Sequence, residues 1–498
     1  MTVQKPREIA ARILLRRADR EEYTEALLER ELAGVPLSAP DRGLCQELVY
    51  GVVRRQMTLD WLITRKTKGR PQKPLLQILL QLGLYQIFWL DRIPDHAAVH
   101  ETVEQAKRAG FNTQAGFINA VLRGYLREAD ATKKLLAELK TTQPALGYSH
   151  PEWLVARWQK RWGAEKTAQL LEWNNTPPKT FGRVNTLKYS SPTTAAADLL
   201  VEKWRHEGVE AEFLTRDWLG EKLAFELKSH PPLTELESFS QGRFYIQDPS
   251  TLLAVRELDP QPGETVLDLC AAPGGKTTFI AQLINNQGRV VAQDILADRV
   301  KLIEENCTRL GVTCVEAVSI RQEISELVHP HPNPLPQERE QQSSGLGSSE
   351  SHSESPVSDQ ARERRTVLPL PGGEGRGEGE RSHNCSSLQF DRVLVDAPCS
   401  NTGVMRRRVD LRWRVQPDEI TRLRATQLDL LRQAASALKP GGVLVYSTCS
   451  LEPEENSEVV KEFLAEQPDF KLESDRELLP FADGVDGAFV AKLRKVQS

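Results

Sequence analysis

The sequence predicts an α/β protein in three parts. A doubly wound, mostly parallel sheet of Rossmann-like type spans residues 244–498, preceded by an all-helical domain at 1–140 and a small α+β module at 145–243. Three observations carry this. From Arg7 to about Lys140 the apolar residues recur at helical spacing, with no alternating run. From Phe244 onward the rhythm becomes apolar strand, Gly-rich or polar turn, then helix, repeated as a parallel sheet with crossover helices requires. A chain of 498 residues, 39% hydrophobic and 27% charged, also has material for about three domains with their own cores.

The N-terminal part reads as helices through IAARILL, YTEALLERELAG and LCQELVYGVVRRQMTLDWLI. It is basic: residues 1–140 hold 23 Lys and Arg against 17 Asp and Glu, so the remainder carries −10 of the overall −4. A positive module beside an acidic remainder suits a polyanionic partner. The stretch DRGLCQELVYGVVRR resembles the RNA-binding antitermination factor NusB, which implies a helical bundle that offers basic residues to RNA. The most apolar run, Leu75 to Leu90, is interrupted by Gln77, Gln81 and Gln86 and is too short and too polar for a membrane span. The start, MTVQKPREIAARILL, lacks the pattern of a secretory signal.

In the middle module Trp158 and Trp162 stand one helical turn apart as core residues, and FGRVNTLKYS reads as a strand entering a turn, with Gly208 and Gly220 as later punctuation. The sheet domain follows as TVLDLC, KTTFIAQLI, RVVAQDI, ADRVKLIEENCTRLG, TCVEAV, FDRVLVDAPC, a long helix from Pro417, and GGVLVYSTCS. Its ligand is expected at the carboxyl ends of the strands. Residues 329–386 interrupt it with 14 Pro or Gly and 8 hydrophobic positions, a composition that cannot build a core and reads as a disordered excursion. The 7 cysteines are odd in number and never form CxxC, so they read as cytosolic thiols, with neither a disulfide framework nor a metal site.

Strand TVLDLC runs into AAPGGKTT, so Gly274 and Gly275 open a turn ahead of a helix beginning near Lys276. Without Cβ atoms the backbone can approach a ligand, and the helix start supplies free N–H donors. Asp294 ends the next strand, 24 residues beyond Cys270, where a carboxylate can take both hydroxyls of a ribose. The motif is neither GxGxxG nor GxxxxGK[ST], and on geometry alone S-adenosylmethionine and a dinucleotide stand level.

Two cysteines decide between them. Cys399 follows Asp396, Ala397 and Pro398 at one strand end, and Cys449 ends another. Methylation of a pyrimidine at carbon 5 needs such a pair, because the ring must first be activated by a thiolate adding at carbon 6 while a carboxyl group contacts ring nitrogen 3. DLCAAPGGKTT, DAPCSNTG and YSTCS together resemble the RNA cytosine-5 methyltransferases of the Nol1/Nop2/Sun class, and the helical N-terminal module points within it to the RsmB (Sun/Fmu) family. The resemblance implies a class I methyltransferase fold behind a NusB-like domain, S-adenosylmethionine as methyl donor, and one cytosine of 16S (small-subunit) rRNA as target. It implies further that Cys449 forms the bond to carbon 6, Cys399 assists breakdown of that adduct, Asp396 contacts both methionine and base, and Lys276 faces the base. Cys270, Ala271, Ala272, Pro273, Gly274, Gly275, Lys276, Asp294, Arg299 and Asp396 match the cofactor site. DNA cytosine-5 enzymes use a Pro-Cys nucleophile like Pro398-Cys399, so the reverse assignment of the thiols stays open. A cytoplasmic monomer working on RNA, without membrane or metal, is the expected setting.

Weaker expectations attach to Arg183 and Asn185 as RNA guides, to Asp248 to Ser250 as braces of the cofactor pocket, and to the five arginines of Met405 to Arg414 as phosphate grips. The sequence departs from the family where a Gly-Asp pair usually holds the adenine amino group: Val318, Ser319, Ile320 and Arg321 stand there, with Glu316 and Glu323 the nearest carboxylates. Val409 replaces a common proline, which softens that loop. The competing reading is an RNA-binding or ribosome-assembly protein that keeps the fold without turnover.

Overall fold

The computed structural model describes residues 5–19, 22–189, 192–320 and 389–497. The expected excursion at 329–386 lies outside them, as do Arg321, Glu323 and Cys385.

Among the described residues the N-terminal part is entirely helical up to Thr142. Its organising element is the helix Pro74–Trp89, buried on almost every side and contacted by the helices Pro6–Asp19, Ala39–Arg54, Gln56–Thr67, Asp95–Arg108 and Asn112–Arg127. That central position is the physical reason for the apolar run. The glutamines that interrupt it are all satisfied: Gln77 and Gln81 donate to Asp60 Oδ1 at 2.6 and 2.7 Å, and Gln86 accepts from Arg7 Nε at 2.7 Å. No described helix is long and apolar enough to cross a membrane.

The helix Glu152–Asn175 then leads into an antiparallel sheet of four strands, β1 (Thr180–Val184), β2 (Glu210–Phe213), β3 (Ala224–Ser229) and β4 (Phe244–Ile246), in the order β2-β3-β1-β4. Trp204, from the helix Thr193–Glu207, packs edge-on against Phe225 and Phe244 and seals this module. Because β4 pairs with β1, the last strand of the small sheet lies past the expected limit at residue 243.

The large sheet has seven strands: β5 (Thr265–Leu269), β6 (Arg289–Asp294), β7 (Val315–Ser319), β8 (Phe390–Asp396), β9 (Leu438–Thr448), β10 (Phe470–Leu478) and β11 (Ala488–Lys495), in the order β10-β11-β9-β8-β5-β6-β7. β5 to β9 run parallel, and β10 and β11 close one edge antiparallel. Alternate residues serve opposite faces. Val266, Leu394 and Val445 pack under the helices Ser250–Leu258 and Gly275–Leu283, while Leu267, Val395 and Leu444 pack under Pro417–Ala437 and Ser457–Glu466. The chain leaves β5 toward β6 on one side and comes back as β8 on the other, so a crevice opens at the carboxyl ends of β5 and β8.

Three of the five arginines of Met405 to Arg414 depart from their expectation, while Arg408 is half-exposed and lines the crevice. Arg406, Arg407 and Arg412 are buried and hold the protein together rather than facing phosphates. Arg406 and Arg407 pair with Asp486 and Asp248, and Arg406 lies over the Trp173 ring. Asp410 accepts from Arg17 Nε and Thr24 N at 2.6 Å each, and Trp413 Nε1 donates to Val53 O at 2.9 Å, tying the segment to the helical domain. Val409 joins the hydrophobic core of that domain, so it is a docking residue and not a softened hinge.

Candidate active site

At the end of β5 the backbone turns sharply: Cys270 takes φ 62° and Gly274 φ 99° before the helix Gly275–Leu283 begins. Gly274 is required twice over, since its φ is left-handed and an added Cβ would stand 3.3 Å from the Ile303 backbone. The turn is held from outside. Asp294 Oδ2 accepts from Ala272 N at 3.2 Å, Arg299 donates to Ala272 O at 2.9 Å, and Asn306 donates to Pro273 O at 2.9 Å. Asp294 is thus an anchor of the turn as well as a residue at the strand end.

One cleft is lined by Cys270 to Pro273 with Gly275, Lys276, Arg299, Asp396 and Cys449. Gly274, Asp294 and Cys399 lie just behind that lining. Lys276 Nζ donates to Asp396 Oδ2 at 2.6 Å, and Ser447 Oγ donates to Asp396 Oδ1 at 2.8 Å. Burial pushes the Lys276 ammonium down, but the Asp396 carboxylate outweighs it and the net shift is upward, so the lysine stays charged. The two thiols are neighbours, with Cys399 Sγ 3.4 Å from Cys449 Sγ. Cys399 is the buried one, and burial followed by its contact with Cys449 raises its pKa well above the ordinary thiol value. Cys449 is only half-buried and faces the cleft.

Two functional side chains escaped the sequence reading. Asn401 accepts from Cys449 Sγ at 2.8 Å and donates to Cys399 O at 2.7 Å. Glu455 ties the two cysteine loops together: it accepts from Ser400 N at 2.8 Å, from the hydroxyls of Ser400 and Ser450, and from Gln427 Nε2 at 3.2 Å. Each serine directly follows one of the cysteines. The signal for Glu455 was the acidic LEPEEN immediately after YSTCS, and for Asn401 the Asn-Thr-Gly turn after Pro-Cys. The loops also touch through Gly403, where an added Cβ would meet the carbonyls of Cys449 and Gly487 at 2.7 Å.

Burial pushes the Glu455 carboxyl up to about 7, against the opposing hydrogen bonds from Ser400, Ser450 and Gln427. The folded protein then holds this proton more tightly than the unfolded chain. Its contribution to stability is full below the unfolded value of 4.5 and is lost as the pH rises to about 7. Measured against Glu455→Gln, wild type should lose on the order of 3 kcal/mol of stability across that window, read by urea unfolding at both ends. A difference that stays constant with pH would mean Glu455 ionises normally.

Other expectations are corrected. Arg183 is buried, donates to Gly275 O and Thr278 Oγ1 at 3.2 Å each, and lies over the Phe279 ring; Asn185 donates to Gly242 O and Leu310 O at 2.8 Å each. Arg183 fastens the small module to the turn and Asn185 fastens it to the end of the helix Ala297–Leu310, so both are buried in structural roles. Asp248 does brace the pocket, through Arg407 at 2.8 Å and the backbone N–H groups of Ser250 and Asp486. Glu316 cannot replace the adenine carboxylate: it sits near the start of β7 and pairs with Arg289. At the carboxyl end stand Ser319, whose Oγ donates to Ile295 O at 3.4 Å, and Ile320, whose N–H donates to Asp294 O at 3.1 Å.

The chain matches a model described as 16S rRNA methyltransferase RsmB/F over residues 255–328 and 376–494, the NusB family over 4–127, and an RsmF/B-like ferredoxin-like domain over 150–212. A probable ribosomal RNA small subunit methyltransferase B of Bacillus subtilis is 35% identical over 98% of both chains. The ribosomal RNA small subunit methyltransferase B of Klebsiella pneumoniae is 35% identical over 92% of this chain and 91% of its own. Among solved structures, PH0851 superposes with a TM-score of 0.67 at 23% identity, covering 99% of this chain and all of that one, a likeness of fold. A methyltransferase homolog protein from Pyrococcus horikoshii gives 0.50 at 28% identity, covering 71% and 97%.

Proposed function

The chain belongs to the 16S rRNA methyltransferase RsmB/F family, and we propose that it transfers a methyl group from S-adenosylmethionine to carbon 5 of one cytosine of 16S rRNA, through a covalent bond from Cys449 to carbon 6. The observation that carries this reading is the pair of thiols 3.4 Å apart beside the Lys276–Asp396 ion pair, at the carboxyl ends of adjacent strands. A protein that only bound RNA would have no chemical use for that group.

The cofactor fits the chemistry of the residues present. Asp268, Asp294 and Asp396 end or flank the strands around the turn, and Asp268 Oδ1 is buried with no hydrogen-bond partner, suited to a cationic amino group. Burial pushes Asp268 up to about 7 despite the 2.6 Å hydrogen bond from Thr277, a position that a nearby cation would relieve. The backbone of Cys270 to Gly275 would hold the methionine end, and Asp294 with Arg299 the ribose side. When bound, S-adenosylmethionine supplies an electrophilic methyl group on a sulfonium.

Carbon 5 of cytosine is too weak a nucleophile to take that methyl unaided. As the Cys449 sulfur adds at carbon 6, its proton passes by way of the Asp396 carboxylate to ring nitrogen 3, which makes carbon 5 enamine-like, and the Lys276 charge favours the attacking thiolate. Loss of the carbon 5 proton to a base then expels the Cys449 sulfur. The proton on ring nitrogen 3 returns to the departing sulfur, and Cys399, 3.4 Å away, contacts that sulfur and assists breakdown of the adduct. The reacting carbon is inaccessible in a stacked helix, so the cytosine enters the cleft extruded. The NusB-like helices supply the basic face that holds the rRNA.

The test is to incubate the protein with 16S rRNA and methyl-labelled S-adenosylmethionine and to map 5-methylcytosine at single-nucleotide resolution. One labelled cytosine per rRNA is expected. RNA binding without transfer at saturating cofactor would favour the assembly-protein reading, and label at another base would overturn the carbon 5 chemistry.

A further inference from the structure

We propose that Asn401 is a positioning residue for the Cys449 thiol, aiming its S–H bond and favouring the thiol over the thiolate by accepting from it. The inference rests on the reading of Cys449 as the attacking group. Asn401 takes φ 58°, left-handed, a conformation that asparagine tolerates and that carries its side chain back between the two cysteine loops. Its orientation is determined by its partners. Nδ2 donates to Cys399 O at 2.7 Å, and a reversed amide would set two oxygens against each other. Oδ1 therefore faces Cys449 Sγ at 2.8 Å.

An amide oxygen only accepts, so Cys449 must be the donor in that contact. A thiol has a single hydrogen, which leaves the 3.4 Å sulfur–sulfur contact to be donated by Cys399. The result is a directed chain: Cys399 to Cys449, Cys449 to Asn401. The same oxygen that accepts from a thiol repels a thiolate. From the helix Gly275–Leu283, Lys276 favours the thiolate and is itself paired with Asp396 of β8. Arg407, Arg408 and Asp486 line the same cleft. Asn401 and Lys276 thus act on the nucleophile in opposite directions.

The test is peptide-resolved alkylation of Cys449 by iodoacetamide against pH in the full-length protein, with Asn401→Gly and Asn401→Asp beside wild type. Glycine accepts φ 58° without strain and removes the acceptor, so the midpoint of alkylation should fall by about half to one pH unit. Aspartate puts a charge where the amide oxygen was, and the midpoint should rise by about one unit or more. The acid limb of methyl transfer should move with it while the KM for RNA stays at the wild-type value. Wild-type midpoints in both variants would reduce Asn401 to a turn residue and overturn the proposal. Should Asn401→Asp fail to fold, Asn401→Gly decides alone. The outcomes separate the two readings: shifted midpoints in a protein that transfers no methyl would sink the function and leave the coupling, whereas fixed midpoints in an active enzyme would do the reverse.

Discussion

Cys449→Ala should abolish methyl transfer, by at least about 10³-fold, while Cys399→Ala should still form the bond to RNA and accumulate as a protein–RNA adduct stable to denaturing electrophoresis. The asymmetry follows from burial. Cys449 lines the cleft and can reach a ring carbon, whereas Cys399 lies behind it and touches the reacting atoms only through the Cys449 sulfur. Removing the front thiol removes the bond. Removing the rear one removes the sulfur contact that, on the proposed mechanism, assists breakdown of the adduct, so the reaction is expected to stall after methyl transfer. The opposite result, an adduct trapped in Cys449→Ala and none in Cys399→Ala, would restore the Pro-Cys assignment that the sequence alone leaves open.

Arg412→Ala should cost about 3 to 5 kcal/mol of stability and open the junction between the helical domain and the sheet domain to proteases. The Arg412 guanidinium is fully buried and donates to Arg54 O at 3.0 Å, Ser149 O at 3.3 Å, Asn174 O at 2.8 Å and Asn175 Oδ1 at 2.8 Å. Those acceptors lie at the carboxyl ends of three helices, Ala39–Arg54, Pro144–Tyr148 and Glu152–Asn175. The carboxyl ends of three helices converge on one cation, with burial beside Arg54 and Arg55 opposing its charge and Asp410 favouring it. Truncation leaves the acceptors dry and unpaired. Arg412→Lys should recover only part of the loss, because an ammonium has three donors and no planar fork. Thermal unfolding and limited proteolysis read both variants. A loss under about 1 kcal/mol would assign the junction to the apolar contacts of Val409 and Trp413 instead. Methyl transfer should fall as well, since the segment that docks Arg412 follows directly from the loop carrying Cys399 and Asn401.

The architecture was legible because it rests on local periodicity. Leu75 to Leu90 is apolar all round because its helix is surrounded, and the strands β5, β6, β8 and β9 are largely apolar because both faces are covered, so each pattern reports its burial without knowledge of its neighbours. Cys399 and Cys449 were legible for a related reason: a polar or reactive residue at the end of such a strand must emerge at the ligand edge. Arg406, Arg407 and Arg412 were not. In sequence a buried guanidinium and a phosphate-binding one look alike, and only the partners Asp248, Asp486 and three helix ends, between 79 and 358 positions away, distinguish them. Arg183 misled in the same way.

By itself the sequence determined the class of each part, the chemical groups available for the reaction and the strand ends that display them, since these follow from periods of two and 3.6 residues and from the chemistry of thiols and carboxylates. Only the tertiary structure decided which thiol faces the cleft, that Glu455 and Asn401 bond the two cysteine loops, and that Arg406, Arg407 and Arg412 are buried against carboxylates and helix ends. Those outcomes depend on contacts between segments far apart in the chain, and a linear pattern carries no record of which distant oxygen a buried donor will meet.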